Sequence, residues 1–247
     1  MIADSPDAMH GVLACAWCER PLHVAVATPS TVRRCPDCGS RTDAWPAPEE
    51  LATLLSPACG DASTTRRCTV AEQLRRRARR RMAHRVARMA PPGPVLDVGS
   101  GDGTLLDALR ESGRVATGIG RTSTRTDVDD VDITELGGRY AAIVFWQSLG
   151  RVPAPRAALE HAAALLKPEG LLTVAQPAAG LPTLTERLRG MSGSEATRAQ
   201  RVRIPQRALV ERLNALGLEV LHADRAGGAG GWTATLLGGV VSVEARR

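Results

Sequence analysis

Short apolar runs punctuate the chain from residue 95 onward. Val95-Leu96-Asp97-Val98 is one, with a single acid inside it and Pro91-Pro92-Gly93-Pro94 upstream. Its length and bounds predict a buried parallel strand. Arg114 to Ile119 reads as a second strand, and a short third lies near residue 128. Ala141 to Trp146, entered from Tyr140, is a fourth, and Leu171 to Ala175 a fifth. Leu218 to His222 is a sixth, and Trp232 to Glu244, interrupted by Gly238-Gly239, can supply the last.

Helical patterns fill the gaps. One begins at Leu105. Another runs from Ala157 to Lys167 and stops at Pro168-Glu169-Gly170. A third, Arg207 to Leu216, places Leu209, Leu213 and Leu216 on one face and is closed by Gly217. Alternation of strand and helix predicts an α/β fold with a doubly wound, mostly parallel, seven-stranded sheet over residues 91–247. From Gln176 to Arg203 no periodicity is evident.

Upstream, Thr69 to Met89 forms a long amphipathic helix. Leu74, Ala78, Met82, Val86 and Met89 make its apolar stripe. Arg75, Arg76, Arg77, Arg79, Arg80, Arg81, Arg85 and Arg88 cover the other faces. Residues 46–90 are read as a linker, with a short helical piece around Glu49 to Leu55, followed by this helix.

Composition alters the picture in three ways. The apolar fraction of 43% supports a core, but only 2% of residues are aromatic, so Leu, Val and Ala must build it. The net charge of +6 is almost all arginine, Lys167 being the sole lysine, and it is concentrated between Arg66 and Arg88. A basic helical face fits either a solvated docking helix or a grip on nucleic-acid phosphates. The docking reading is preferred because no aromatic side chains are interleaved to stack on bases. No apolar run approaches the roughly 18 residues of a membrane span. The first ten residues do not read as a signal peptide, so a cytoplasmic location is expected.

Residues 1–45 carry their own chemistry. Cys15-Ala-Trp-Cys18 and Cys35-Pro-Asp-Cys38 are separated by sixteen residues. That spacing matches a four-thiolate structural zinc site, each pair turning tightly enough to aim two sulfurs at one ion. A small N-terminal zinc ribbon is therefore expected, with His23 as a spare ligand and Cys59 and Cys68 as ordinary cysteines. A closed four-cysteine shell leaves no position for a catalytic water. The metal is instead needed because so short a segment cannot bury a core unaided.

After the first strand the chain reads Gly99-Ser100-Gly101-Asp102-Gly103-Thr104, a glycine turn entering a helix. Such a turn brings backbone N–H groups and a helix N-terminus toward a ligand. The dinucleotide fingerprint would need a glycine where Thr104 stands. Instead the stretch resembles motif I of the class I S-adenosylmethionine-dependent methyltransferases, whose Rossmann-like domain residues 91–247 resemble over nearly their whole length. The ribbon, basic helix and short second-to-third-strand segment resemble a bacterial group with an N-terminal zinc ribbon.

The resemblance implies roles. Asp97, Gly99, Ser100, Gly101 and Gly103 would hold the methionyl end of S-adenosylmethionine. Gly120, followed by Arg121, occupies the position where the family places a ribose-binding acid. Asp132 and Ile133 would flank the adenine, with Asp129 and Asp130 nearby, and Gln147 would lie beside the transferred methyl. Ser148 and Arg151 would face the acceptor, where relatives carry a His and then a Glu-His pair, here Gln147, Gly150 and Arg151. Tyr140 and His161 are expected to pack rather than to catalyse. No residue stands out as a catalytic base. The leading expectation is a methyltransferase acting on a small-molecule acceptor. A catalytically degenerate fold kept as a binding or regulatory module is the second, and an RNA methyltransferase the third.

Overall fold

The computed structural model describes residues 13–22, 33–42, 62–120, 125–177, 201–225 and 240–247. The expected pieces at Glu49–Leu55 and Gln176–Arg203 therefore lie wholly or largely outside the described residues, as do His23, Cys59, Arg121 and Trp232.

Two short hairpins open the described chain: β1 (Leu13–Ala14) with β2 (Pro21–Leu22), and β3 (Arg33–Arg34) with β4 (Arg41–Thr42). Helix α1 (Ala62–Met89) follows, beginning seven residues before its expected start at Thr69. Then come β5 (Val95–Val98), α2 (Thr104–Glu111), β6 (Ala116–Ile119), β7 (Val128–Asp129) and β8 (Tyr140–Trp146). The chain continues through α3 (Pro155–Leu165), β9 (Leu166–Pro177), β10 (Val202–Arg203), α4 (Gln206–Ala215), β11 (Glu219–Arg225) and β12 (Val240–Arg246).

Seven of these strands form one sheet in the order β11-β12-β9-β8-β5-β6-β7. Strands β5 to β9 run parallel, and β12 lies antiparallel between β9 and β11. The doubly wound, mostly parallel sheet expected from the alternation of elements is the one observed.

Its two faces bury alternate residues. Leu96, Val98, Ile143, Phe145, Leu172 and Val174 pack on α3 and α4 through Leu159, Ala162, Leu209 and Leu213. Val95, Ala142, Val144 and Leu171 pack on the other side with Ala83 and Val86 of α1 and Leu105, Leu106 and Leu109 of α2. This period-2 partition is what a central parallel strand requires when helices cover both faces.

Of the ten arginines of α1, three reach acids on other elements. Arg79 pairs with Asp102 at 2.9 Å, Arg80 with Glu111 at 3.7 Å, and Arg85 with the buried Glu244 of β12 at 2.6 Å. Arg77, Arg81 and Arg88 stand exposed. Docking, the preferred reading of this helix, is thus made by the apolar stripe and by three of its own charges.

Around Lys167 the element boundaries differ from expectation. Helix α3 stops at Leu165 rather than Lys167, because Pro168 has no N–H to give the carbonyl four residues back. The guanidinium of Arg247 takes that Ala164 carbonyl at 3.0 Å and the Leu166 carbonyl at 2.7 Å. The Pro168-Glu169-Gly170 turn becomes a bulge within β9, since Tyr140 pairs with Leu166 and Ala142 with Leu171. Glu169, at φ 61°, and Gly170 pair through their backbones with Arg247.

The shortened link between β6 and β7 is fastened by Arg125. Its guanidinium grips Asp107 of α2 at 2.8 and 3.0 Å and Asp127 at 2.8 Å. Among the described residues no helix is long and apolar enough to cross a membrane.

Candidate functional site

Strand β5 delivers the glycine turn to the carboxyl edge of the sheet, where open α/β folds bind ligands. Gly99, Gly101 and Gly103 all have positive φ, at 76°, 55° and 73°. Two of the three are also closed sterically. A Cβ on Gly99 would lie 2.4 Å from the Ser148 Cβ, and one on Gly103 would lie 2.4 Å from the Arg125 Cδ. The turn is therefore pressed between β8's end and the Arg125 staple, and only glycine fits.

Asp97 is 1% exposed. It shares the sheet face of Val95, toward α1 and α2. Burial pushes its carboxyl from 3.8 up to about 7, against the opposing influence of Ser100 and the Arg79 charge. Its Oδ2 has no hydrogen-bond partner. A buried carboxylate oxygen without a donor is costly, and a cationic ligand group would satisfy it. Ser100 is also buried, its hydroxyl donating to the Asp97 carbonyl at 3.0 Å.

Asp102, between the last two glycines, accepts the Thr104 N–H at 3.1 Å and the Arg79 guanidinium at 2.9 Å. Burial opposes its charged form, but Arg79 and that N–H outweigh it and hold the carboxyl below its usual range. Neither Arg79 nor Asp102 was singled out from the sequence. Asp102 was legible in the Gly-Asp-Gly turn, whereas Arg79 was one of eight similar arginines.

Gly120 ends β6 against the glycine turn. A Cβ there would be 3.4 Å from the Gly99 Cα and from the Ser100 nitrogen, and its N–H donates to the Asp129 carbonyl at 3.0 Å. Position 120 is thus beside the turn, with glycine and no carboxylate. Asp129 and Asp130 are exposed at the end of the neighbouring strand.

Asp132 caps a single 3-10 turn, Ile133–Glu135, accepting the Thr134 N–H at 3.0 Å and the Thr134 hydroxyl at 2.8 Å. Ile133 is 2% exposed and belongs to the core. His161 is bonded through Nε2 to the Leu136 carbonyl at 2.9 Å.

At the end of β8, Gln147 has φ 55°, rare for a residue with a side chain, and its N–H donates to the Ala175 carbonyl at 2.6 Å. This locks the carboxyl ends of β8 and β9 together. Ser148, expected to face the acceptor, is 5% exposed and donates its hydroxyl to the Val98 carbonyl at 2.5 Å. It holds the glycine turn in place from inside. Arg151 lies in the next 3-10 turn, Leu149–Arg151, and is half-buried. Gln176, which the sequence did not single out, ends β9 in the same edge and is 2% exposed. The structure therefore gathers Asp97, the glycine turn, Gly120, Gln147 and Ser148 at one edge of adjacent strands. Ile133 lies inside the core, and Asp132 is occupied by its cap.

The four cysteines converge as their spacing predicts. Their sulfurs all lie within 4.8 Å of one another, with Cys15 to Cys38 at 3.7 Å and Cys18 to Cys35 at 3.5 Å. A tetrahedral ion with sulfurs at about 2.3 Å sets them about 3.8 Å apart. The two turns are built alike. Cys15 and Cys35 donate their N–H groups to Arg20 and Ser40 at 2.8 Å, and the left-handed position is Glu19 in one and Gly39 in the other. The Ser40 hydroxyl lies 3.1 Å from Cys15 Sγ and 3.0 Å from Cys38 Sγ, an unforeseen second layer of support. Burial pushes Cys18 up to about 12. For Cys15 burial is outweighed by Ser40 and backbone N–H groups, and its thiol falls to about 7.

The comparisons with known proteins agree with this geometry. The methyltransferase domain family model matches residues 74–223, well over half of the chain. The chain belongs to the class I S-adenosylmethionine-dependent methyltransferase family. A ubiquinone biosynthesis O-methyltransferase from Coxiella burnetii is 33% identical over 95 residues, 32% of this chain and 41% of that protein. The chain thus matches under half of that relative's length. Among solved structures, the Burkholderia thailandensis 1,6-didemethyltoxoflavin-N1-methyltransferase is 19% identical with a TM-score of 0.51, over 88% of this chain and 99% of that one. A magnesium protoporphyrin IX methyltransferase from Synechocystis is 15% identical with a TM-score of 0.52, over 81% and 93%. At these identities the structures establish the fold.

Proposed function

We propose that this chain transfers a methyl group from S-adenosylmethionine to a small-molecule acceptor, and that its four cysteines take a structural zinc ion. The observation that carries the first part is Asp97, a buried carboxylate with one oxygen unpartnered, two residues before the first glycine of the turn. A methionyl ammonium would supply the missing donor there, and the N–H groups of the turn would meet the carboxylate end. S-adenosylmethionine brings a methyl already activated by its sulfonium. The protein has then to align the two partners and exclude water.

The residues for those tasks sit on the edge described above. Gln147, in its strained backbone conformation, borders the place where the methyl would point, and Ser148 fixes β8's end to the glycine turn. Among the described residues of the edge, no side chain besides Asp97, assigned to the ammonium, is set up as a base, which suits an acceptor whose nucleophile is already deprotonated or loses its proton to solvent. Small-molecule acceptors are favoured by the relatives, whose names specify a ubiquinone precursor pathway, a toxoflavin precursor and a porphyrin. The RNA reading is weakened because Arg79, Arg80 and Arg85 are engaged with the protein's own acids.

Titration calorimetry with S-adenosylmethionine, followed by a methyl-transfer assay over quinol, phenol and heteroaromatic acceptors, tests this. Binding with turnover on one acceptor class is expected. Well-folded protein that binds no S-adenosylmethionine leaves the fold as a non-catalytic module. For the metal, about one zinc per chain is expected on elemental analysis.

A further inference from the structure

The ribbon and the carboxyl edge of the main sheet meet through β10. Val202 and Arg203 pair antiparallel with Thr42 and Arg41 of β4. Among the described residues β10 has no other strand neighbour, and two residues are far too few to hold a strand unaided. Yet Val202 is 1% exposed and Arg203 5%.

The remaining contacts of this segment lead to the chemistry. β10 packs against the Leu149–Arg151 turn, and Arg201 donates to the Pro153 carbonyl at 2.9 Å. The Gln176 side chain donates through Nε2 to the Ile204 carbonyl at 2.5 Å. Val202, Ile204 and Leu149 belong to the same apolar cluster as Cys15, Trp17 and Cys35 of the ribbon. A second link runs from α3, where Arg156 reaches Glu19 of the first cysteine turn at 3.0 Å.

The glycine turn is supported otherwise. It rests on β6 through the Gly99 and Ser100 N–H groups, on α1 through Arg79, and on Arg125. It also rests on Ser148, whose hydroxyl donates to the Val98 carbonyl, and of these supports only Ser148 adjoins the Leu149–Arg151 turn that β10 holds.

We propose that the metal-loaded ribbon sets the acceptor side of the methyl-transfer site. The four cysteines hold β4, β4 holds β10, and β10 holds the Leu149–Arg151 turn and Gln176. This rests on the reading that the cysteines take zinc. Two hairpins with strands of two residues depend on the ion for their mutual placement, so metal loss should loosen β10 and its neighbours while sparing the cofactor side.

The test uses the full chain, its zinc content measured, compared by amide hydrogen exchange before and after chelation. Peptides covering 149–153 and 201–204 should exchange at least about tenfold faster without metal, and those covering 95–106 and 116–120 should change less than about twofold. S-adenosylhomocysteine binding, read by calorimetry, should shift less than about threefold. Because chelation can unfold more than the ribbon, Val202→Asp supplies a second route. It should keep its zinc and still lose protection at 149–153. Unchanged exchange at 149–153 after confirmed zinc loss overturns the coupling, and equal loosening of the glycine turn overturns the division of the site. Protein purified with no bound zinc refutes the metal reading beneath the proposal. Failure to bind S-adenosylhomocysteine, with the exchange pattern as expected, counts against the methyltransferase reading alone.

Discussion

The guanidinium of Arg79 lies 2.9 Å from the carboxylate of Asp102. Arg79 belongs to the long helix before the sheet, and Asp102 to the glycine turn on which a cofactor would rest. Docking of that helix and the shape of the turn are therefore one arrangement. Asp102 also receives the Thr104 N–H, so the same carboxylate starts α2.

Arg79→Ala should lower stability by about 1 kcal/mol, because the pair is only partly exposed, while Arg81→Ala should change it by less than about 0.5 kcal/mol. S-adenosylmethionine affinity should weaken in the first and not in the second. The folded Asp102 carboxyl is held low, so its stabilising contribution is present above the ordinary carboxylate range and lost as pH falls through the lowered value. Thermal melts of wild type and Arg79→Ala should accordingly converge in acid. Equal melts at neutral pH would show the pair to be idle.

Asp97 gives the opposite pH dependence. Its folded value is raised from 3.8 to about 7. Below 3.8 both folded and unfolded states hold the proton, and no stability is lost. Between 3.8 and about 7 the unfolded state gives it up first, so the ligand-free protein should lose stability as pH rises through that window. Asp97→Asn should be the more stable protein at pH 8, by about 1 kcal/mol or more, yet bind no S-adenosylmethionine. Wild-type affinity should rise from pH 6 to pH 8 as the carboxylate ionises. A flat affinity profile would mean that Asp97 does not meet the cofactor's ammonium.

Gly99 and Ser148 can be tested against each other. Gly99→Ala puts a Cβ 2.4 Å from that of Ser148 and forces a side chain to φ 76°, so a loss of roughly 2–4 kcal/mol is expected. Gly99→Ala with Ser148→Gly removes the clash but not the backbone strain, and should recover part of the loss. Denaturant melts that show no recovery would mean that backbone strain alone excludes alanine.

Gly120→Glu asks whether a missing carboxylate limits binding. Its Cβ would stand 3.4 Å from the Gly99 Cα, so the change fits with shifts of a few tenths of an ångström. A glutamate reaching both ribose hydroxyls should tighten S-adenosylmethionine binding by about tenfold, since one charged hydrogen bond contributes about 1.5–3 kcal/mol. Tight wild-type binding left unchanged by the substitution would show that another group, with Asp129 and Asp130 the nearest acids on the adjoining strand, holds the ribose.

Much of this molecule was legible before any coordinates. The Val95–Val98 run, the three glycines after it and the paired cysteines are local signals. Each is set by the needs of one strand, one turn or one ion, so neighbouring residues suffice to read it. The stripe of α1 was legible for the same reason, although the helix begins earlier than that stripe, at Ala62. Polar residues can continue a helix without adding to its apolar period.

Tertiary structure decided what local pattern cannot carry. Ten arginines on one helix look alike in sequence, and only the positions of Asp102, Glu111 and Glu244 mark out Arg79, Arg80 and Arg85. Ser148 seemed open toward the acceptor, but its hydroxyl closes on the Val98 carbonyl fifty residues away. The Lys-Pro-Glu-Gly turn is drawn into β9 because Arg247, at the far end of the chain, supplies its backbone partners. β10 has two residues and therefore no period to detect. It exists because the ribbon offers it a strand edge. Apolar period and turn chemistry are written along the chain, whereas the pairing of distant charges and strand edges is settled only when folding brings them within hydrogen-bond reach.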